Sequence, residues 1–387
     1  MTRKNYRTGT LLILISLALM VGVMACTDGP VGLFASIAQE KNINANRTAA
    51  FDGTSPDFVG MLGTDYYTII NGTIWTRAVA GESWVKLATM PAGVSNGTAS
   101  SAATAGTNLF VTFGLIGDST QKVWATTDGV TWSDTLTAFP TTVRVDSLLS
   151  ANGQAFAVSR TDTTIDSIMT TLYSVYYWNG SSFVTAGAEV TDISGRPMSV
   201  AYDDGGTTNY WITAGTSVFT GAPGNLIVLA GTPVDTFAGV GNESPGNMVL
   251  SSSTGVVHKY DGSVWTESGV FKKSDKAHAF STPTIVADGT KTYLLVGTVY
   301  ANDAATASGY LEFDISAGFD PTTASASEGS DFADIVNFQT SVAANYIAKL
   351  TVADEGSGNT RVFALTIGNG LWSNFFEDGT WSGWARE

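Results

Sequence analysis

The chain is poor in the residues on which much enzyme chemistry depends. Its 387 residues include one cysteine, Cys26, and two histidines, His258 and His278. A lone cysteine excludes an internal disulfide, a cysteine-built zinc site and, with so few histidines, most Cys-His catalytic pairs; a histidine-rich metal centre is excluded as well. Charge is also sparse, at 14% of residues, and it is one-sided: 19 Lys and Arg face 34 Asp and Glu, for a net charge of −15. Such a chain lacks the basic face that a phosphate backbone demands, which argues against general nucleic-acid binding. Helical periodicity is hardly found after Asp57. What the chain does have is 44% hydrophobic residues, enough for a folded core and too many for disorder.

The N-terminus carries an address. Arg3, Lys4 and Arg7 precede an apolar run over residues 11–23, the charged and hydrophobic regions of a secretory signal and too short for a comfortable membrane span. The run ends in Val23-Met24-Ala25-Cys26. This resembles the lipobox of bacterial lipoproteins, in which a small residue precedes the cysteine that is acylated. The resemblance covers residues 1–26 only, but it uses the sole cysteine of the chain. It implies cleavage after residue 25, lipidation of Cys26 and stable anchoring, since each buried methylene contributes about 0.8 kcal/mol. Thr27 follows, where lipoproteins held at the inner membrane of enteric bacteria typically carry Asp, so the outer membrane is the implied address. Residues 26–55 read as the lipidated end and a tether, with residues 31–43 able to add one short strand or helix. Residues 56–387 read as the folded domain.

That domain reads as all-β. Short apolar and β-branched runs recur, at residues 66–70, 109–115, 154–159, 210–213, 293–299 and 361–367, separated by turn dipeptides. Ten Asn-Gly or Asp-Gly pairs follow residue 55, and such pairs favour tight type I′ hairpins. A larger unit repeats too. Glycine precedes an aromatic ring at short fixed spacing in Gly72…Trp75, Gly81…Trp84, Gly129…Trp132, Gly180…Phe183 and Gly262…Trp265, and one residue closer in Gly370…Trp372 and Gly379…Trp381. Fixed spacing puts each ring on an equivalent face, as stacked sheets require, and points to a β-propeller. Gly81, Gly129, Gly180, Gly224 and Gly262 mark successive outer turns, and the interval to Gly379 leaves room for one more blade. Seven four-stranded blades fit best, with six or eight still open. Closure is expected from blade seven packing face to face on blade one, with Trp372, Trp381 or Trp384 in that seam.

Thr126-Thr-Asp-Gly-Val-Thr-Trp132 resembles the Asp-box of sialidase-like propellers with one residue missing between aspartate and tryptophan. Asp128 would cap its own turn while Trp132 packs between blades. The whole is similar in outline to kelch-type propellers and to the lipoprotein propellers of envelope assembly machinery, without a residue-by-residue motif. A sialidase would need an arginine cluster, and after residue 26 there are only Arg47, Arg77, Arg144, Arg160, Arg196, Arg361 and Arg386. His258 reads as a strand residue and His278 as the end of a solvated loop, with no serine elbow to serve either. Asp203-Asp204-Gly205-Gly206 and Asn302-Asp303 are oxygen-rich loops that could take calcium, though turn chemistry explains them as well; no other cofactor is indicated. The resulting expectation is a non-enzymatic, envelope-anchored scaffold for a protein or glycan partner. The alternative is a propeller glycoside hydrolase or lyase.

Overall fold

The computed structural model describes residues 48–387, apart from 82, 89, 92–93, 95–97, 115–120, 135–143, 204, 206–208, 302–306 and 326–341. Cys26 and residues 31–43 therefore lie outside the described residues. The chain divides into Met1–Ala45 and Asn46–Glu387, and the second unit is the propeller.

Seven antiparallel sheets follow one another along it. Their first strands are Pro56–Leu62, Thr98–Ala105, Arg144–Ala151, Pro197–Asp203, Phe237–Ser244, Ala279–Ala287 and Ile347–Gly356. Each leads to neighbours in simple meander order, giving four strands in blades one to five and five strands in blade seven. Blade six has three among the described residues. The apolar runs legible in the sequence are the second strands. Residues 66–70, 109–113, 155–159, 210–214 and 293–298 are buried without interruption, because a middle strand is covered on both faces by neighbouring blades and need not alternate.

Seven apolar clusters decide the blade count. Six of them combine residues of consecutive blades, and the seventh joins blade seven to blade one, so the ring is closed. The closing cluster departs from the expectation. It contains Tyr66, Trp75, Trp84 and Phe363, whereas Trp372, Trp381 and Trp384 pack in the seam between blades six and seven. The reason is directional: the recurrent aromatics that follow a glycine turn pack against the preceding blade, so blade one, not blade seven, supplies the closing tryptophans.

The tether boundary at residue 55 also moves. Phe51 is only 1% exposed within the closing cluster, and Gly370 N–H donates to the Thr54 carbonyl at 2.8 Å. The segment from Thr48 to Ser55 thus belongs to the ring. Burial of a phenylalanine is worth about 2–3 kcal/mol, enough to hold a short segment that would otherwise be solvated.

Seven of the Asn-Gly and Asp-Gly turns fall into two kinds. Asn71-Gly72, Asn152-Gly153 and Asp378-Gly379 have positive φ at both residues, the type I′ geometry. Asp128, Asn179, Asp261 and Asp288 instead accept N–H groups two and three residues ahead on one side-chain oxygen, at 2.6–3.0 Å. In this second kind the acid or amide stabilises the turn directly, and only the following glycine has positive φ. The glycine motifs split likewise: Gly72 and Gly370 turn the second strand into the third, while Gly81, Gly129, Gly180, Gly262 and Gly379 precede the outer strand.

Candidate functional site

The repeated aromatics occupy the seams. Trp84 and Trp75 lie in the closing seam, Trp132 between blades one and two, Phe183 between two and three, Trp265 between four and five, and Trp372 and Trp381 between six and seven. Each therefore faces the preceding blade. The contacts are edge-on or tilted, as ring quadrupoles favour: Phe110–Phe183 at 5.2 Å, Tyr260–Trp265 at 4.9 Å and Phe376–Trp381 at 5.0 Å. Consecutive Tyr176 and Tyr177 serve opposite seams of blade three.

The Asp-box-like turn is a folding device in its local geometry. Asp128 Oδ1 accepts the N–H groups of Val130 and Thr131, and these hold its carboxyl at about 2. Thr126 Oγ1 accepts Gly129 N–H at 2.8 Å. Gly129 has φ +71°, and a Cβ there would approach the Tyr67 hydroxyl to 2.7 Å. Both the turn and the neighbouring ring thus require glycine.

Both histidines are buried. His258 is a strand residue, 2% exposed, with Nε2 2.9 Å from Asp235 Oδ2 and Nδ1 3.5 Å from Glu267 Oε2. Asp235 also accepts from Thr254 Oγ1 at 3.0 Å. The ring is held between two carboxylates. His278 differs from the expected solvated position: Lys272–Lys273 and Lys276–Ala277 form a small hairpin, and His278 behind it is 3% exposed, stacked on Phe280. Of the calcium candidates, Asp203 Oδ1 accepts N–H from Gly205 at 3.0 Å and Gly246 at 2.9 Å, which commits it to its turn. Asp204, Gly206, Asn302 and Asp303 lie outside the described residues.

The densest polar constellation closes the ring and was not legible in the sequence. Glu387 Oε2 accepts from Arg77 Nη1 and from the Trp84 indole N–H, each at 2.8 Å, while Ser373 donates to Oε1. Beside it, Tyr66 donates to Glu355, and Arg361 Nε donates to the same carboxylate at 2.7 Å. Arg361 also covers the Phe375 ring at 4.3 Å. Burial pushes the Tyr66 hydroxyl up, reinforced by Glu355. Burial pushes Arg77 down while Glu387 opposes it, and the guanidinium stays charged. Every acid in this group is paired, so the constellation is a latch between blades.

The open feature is the central channel. A cavity of about 630 Å³ is lined by the first strands of all seven blades. Every one of those strands carries a β-bulge near its start, at Asp57, Ser100, Asp146, Met198, Ala238, Ser281–Thr282 and Ala348. A bulge re-aims the side chains after it and sharpens twist, so a ring of seven bulges shapes one end of the channel. The bulge has no characteristic residue type here, which is why sequence reasoning missed it. After the bulge, Ser101 bonds the Leu148 backbone and Ser199 the Val240 backbone, stitching adjacent first strands together.

No protein-family model matches this sequence, and no curated protein matches it. Solved structures do match by fold. One is a structure of YCF48 bound to a D1 peptide, 13% identical, covering 83% of this chain and 92% of that one with a TM-score of 0.52. A second is YCF48 from Cyanidioschyzon merolae, 13% identical over 83% and 95% of the two chains, at 0.50. A third is the WD40 β-propeller domain of Doa1, 11% identical over 87% and 96%, at 0.50. At these identities the likeness concerns the fold, and the fold is a β-propeller.

Proposed function

We propose that this chain is a bacterial envelope lipoprotein, anchored through Cys26, whose propeller is a rigid, non-enzymatic binding surface for a protein partner. The observation that carries the reading is where the chemically capable side chains go. The Arg77–Glu387 and Arg361–Glu355 pairs and the His258–Asp235 pair are spent on joining blades or strands, so the ring offers shape and surface. A propeller of similar fold has been solved with a peptide bound, which supports a protein partner over a glycan. The address rests on residues 1–27 alone: signal, lipobox-like Val23-Met24-Ala25-Cys26, and Thr27 favouring the outer membrane.

Labelled palmitate and cell fractionation test the anchor. Label should enter the parent chain and be lost in Cys26→Ala, together with processing. An unlabelled parent, or a Cys26→Ala chain that is still labelled, refutes anchoring at Cys26. In-cell cross-linking from the propeller, read by mass spectrometry, tests the scaffold: a stoichiometric protein adduct supports it. Turnover of chromogenic glycosides well above background would replace it with the hydrolase.

A further inference from the structure

Lys349 breaks the pattern of the channel. It follows the bulge of blade seven, the position held by Phe58, Ser101, Ser147, Ser199, Gly239 and Pro283 in the other blades. At two of those positions a serine stitches its first strand to the next one. None of the six equivalent positions carries a charge, and here the chain places a long cation. Acids outnumber bases 34 to 19 in the sequence, yet Lys349 makes no ion pair or hydrogen bond with any described residue.

Among the described residues, the only other charged side chain on the cavity wall is Asp354. It stands about 16 Å further along the same strand, at 3.3 Å per residue, and its carboxylate accepts the Gly356 N–H at 2.8 Å in the turn beyond. Lys349 is open to channel water but surrounded by the first strands, and burial pushes its ammonium below the ordinary lysine range. Lys349 is solvent-exposed inside the channel and has no acid among the described residues beside it, so its ammonium is open to an anionic ligand entering from the water.

The wall around it specifies the rest of the ligand. Met198 and Val352 are 46% and 36% exposed, both on the channel wall, with Met61 and Leu149 adding aliphatic surface and Thr104 and Thr351 adding hydroxyls. A volume of this size suits a small organic molecule. One lysine is a point charge without the fork of an arginine, and among the described residues no second cation lines the cavity, which favours a single carboxylate over a phosphate. From the cavity, the unpaired cation and the mixed wall, we propose that the central channel binds a small amphiphilic monocarboxylate, its carboxylate on Lys349 Nζ and its body along the aliphatic wall. This site is independent of the partner surface proposed above.

Isothermal titration of the full chain with decanoate tests it, against decanol and decyltrimethylammonium as neutral and cationic counterparts. Saturable one-to-one binding of decanoate is expected, about tenfold or more weaker in Lys349→Met and largely kept in Lys349→Arg. Met198→Trp, which narrows the channel, should remove it. Absence of saturable binding to the parent overturns the proposal, as does equal affinity in the folded Lys349→Met chain. If that variant does not fold, the parent decides: equal binding of decanoate and decyltrimethylammonium would mean partition onto apolar surface, not a carboxylate site.

Discussion

The seam between blades two and three and the seam between blades seven and one do the same work with different chemistry. The first is apolar: Ala103, Phe110, Val123, Val145 and Phe183 are all fully buried, with the phenylalanine rings edge to face. The second adds to its apolar cluster a buried Arg77–Glu387 pair and the Tyr66–Glu355–Arg361 group. Chain connectivity accounts for the contrast. Ser101 and Leu148, which link blades two and three, are 47 residues apart, whereas Arg77 and Glu387 are 310 apart. By the logarithmic loop-closure law this difference costs about 2 kcal/mol of additional chain entropy. The closing seam must also select its partner from any exposed blade face, and apolar faces are interchangeable. A charge with an indole and a hydroxyl arranged around it fits one register only, a use of buried polar groups for specificity that other proteins share.

The largest effect should follow from breaking that latch. Glu387→Ala leaves Arg77 buried without its counter-charge and removes the acceptor of Trp84 and Ser373, so it should destabilise by about 3–5 kcal/mol in urea denaturation. The double variant Arg77→Met, Glu387→Leu should recover most of the loss, because a well-packed apolar pair is often as stable as a buried ion pair. A single variant that unfolds like the parent would show that the seam closes by apolar packing alone.

The apolar seams sharpen the contrast through burial. Phe183→Ala, at a fully buried ring, should cost about 3–4 kcal/mol. Trp265→Ala should cost less, about 2 kcal/mol, because that ring is half-buried at the rim of its seam. If Trp265→Ala melts like the parent but loses a bound partner, that tryptophan is a contact residue and its place in the repeat is incidental.

Much of this architecture was legible because it recurs locally. Gly81, Gly129, Gly180, Gly224, Gly262 and Gly379 all lie in turns before outer strands, and all but Gly81 have the positive φ that glycine tolerates. The aromatics after them were legible for the same reason. Trp372, Trp381 and Trp384 were assigned to the wrong seam because spacing reveals that rings share a face but not which neighbour the face meets. The latch was illegible: Arg77 and Glu387 are each ordinary in their local sequence, and only closure brings them together. The channel was hidden differently. Bulged residues as unlike as Asp57, Met198 and Ala348 have no common signature, so nothing local set Lys349 apart.

The smallest effect comes from titrating the same latch. Burial and Glu355 push the Tyr66 hydroxyl above its ordinary value, and burial does the same to Tyr310 in the seam between blades six and seven; burial, then Asp288, pushes Tyr293 up to about 12. A raised tyrosine pKa means that the folded state holds the proton more tightly than the unfolded chain. Below about pH 10 both states are protonated and the contribution is complete. As pH rises beyond that, the unfolded chain ionises first and stability falls. Tyr66→Phe should lower stability at pH 8 by only about 1 kcal/mol, the net worth of one hydrogen bond, because Glu355 keeps Arg361. Between pH 10 and 11 its stability should then fall less steeply than the parent's, with Tyr310 and Tyr293, and with Tyr67 and Tyr210 that burial also raises, contributing to the remaining slope. Phe183→Ala, by contrast, should sit the same distance below the parent at both pH values, since its seam loses packing and no titrating contact. Parallel curves for Tyr66→Phe and the parent in urea unfolding would mean that the alkaline limb arises outside the closing seam, and the distinction between a titratable seam and an inert one would not hold.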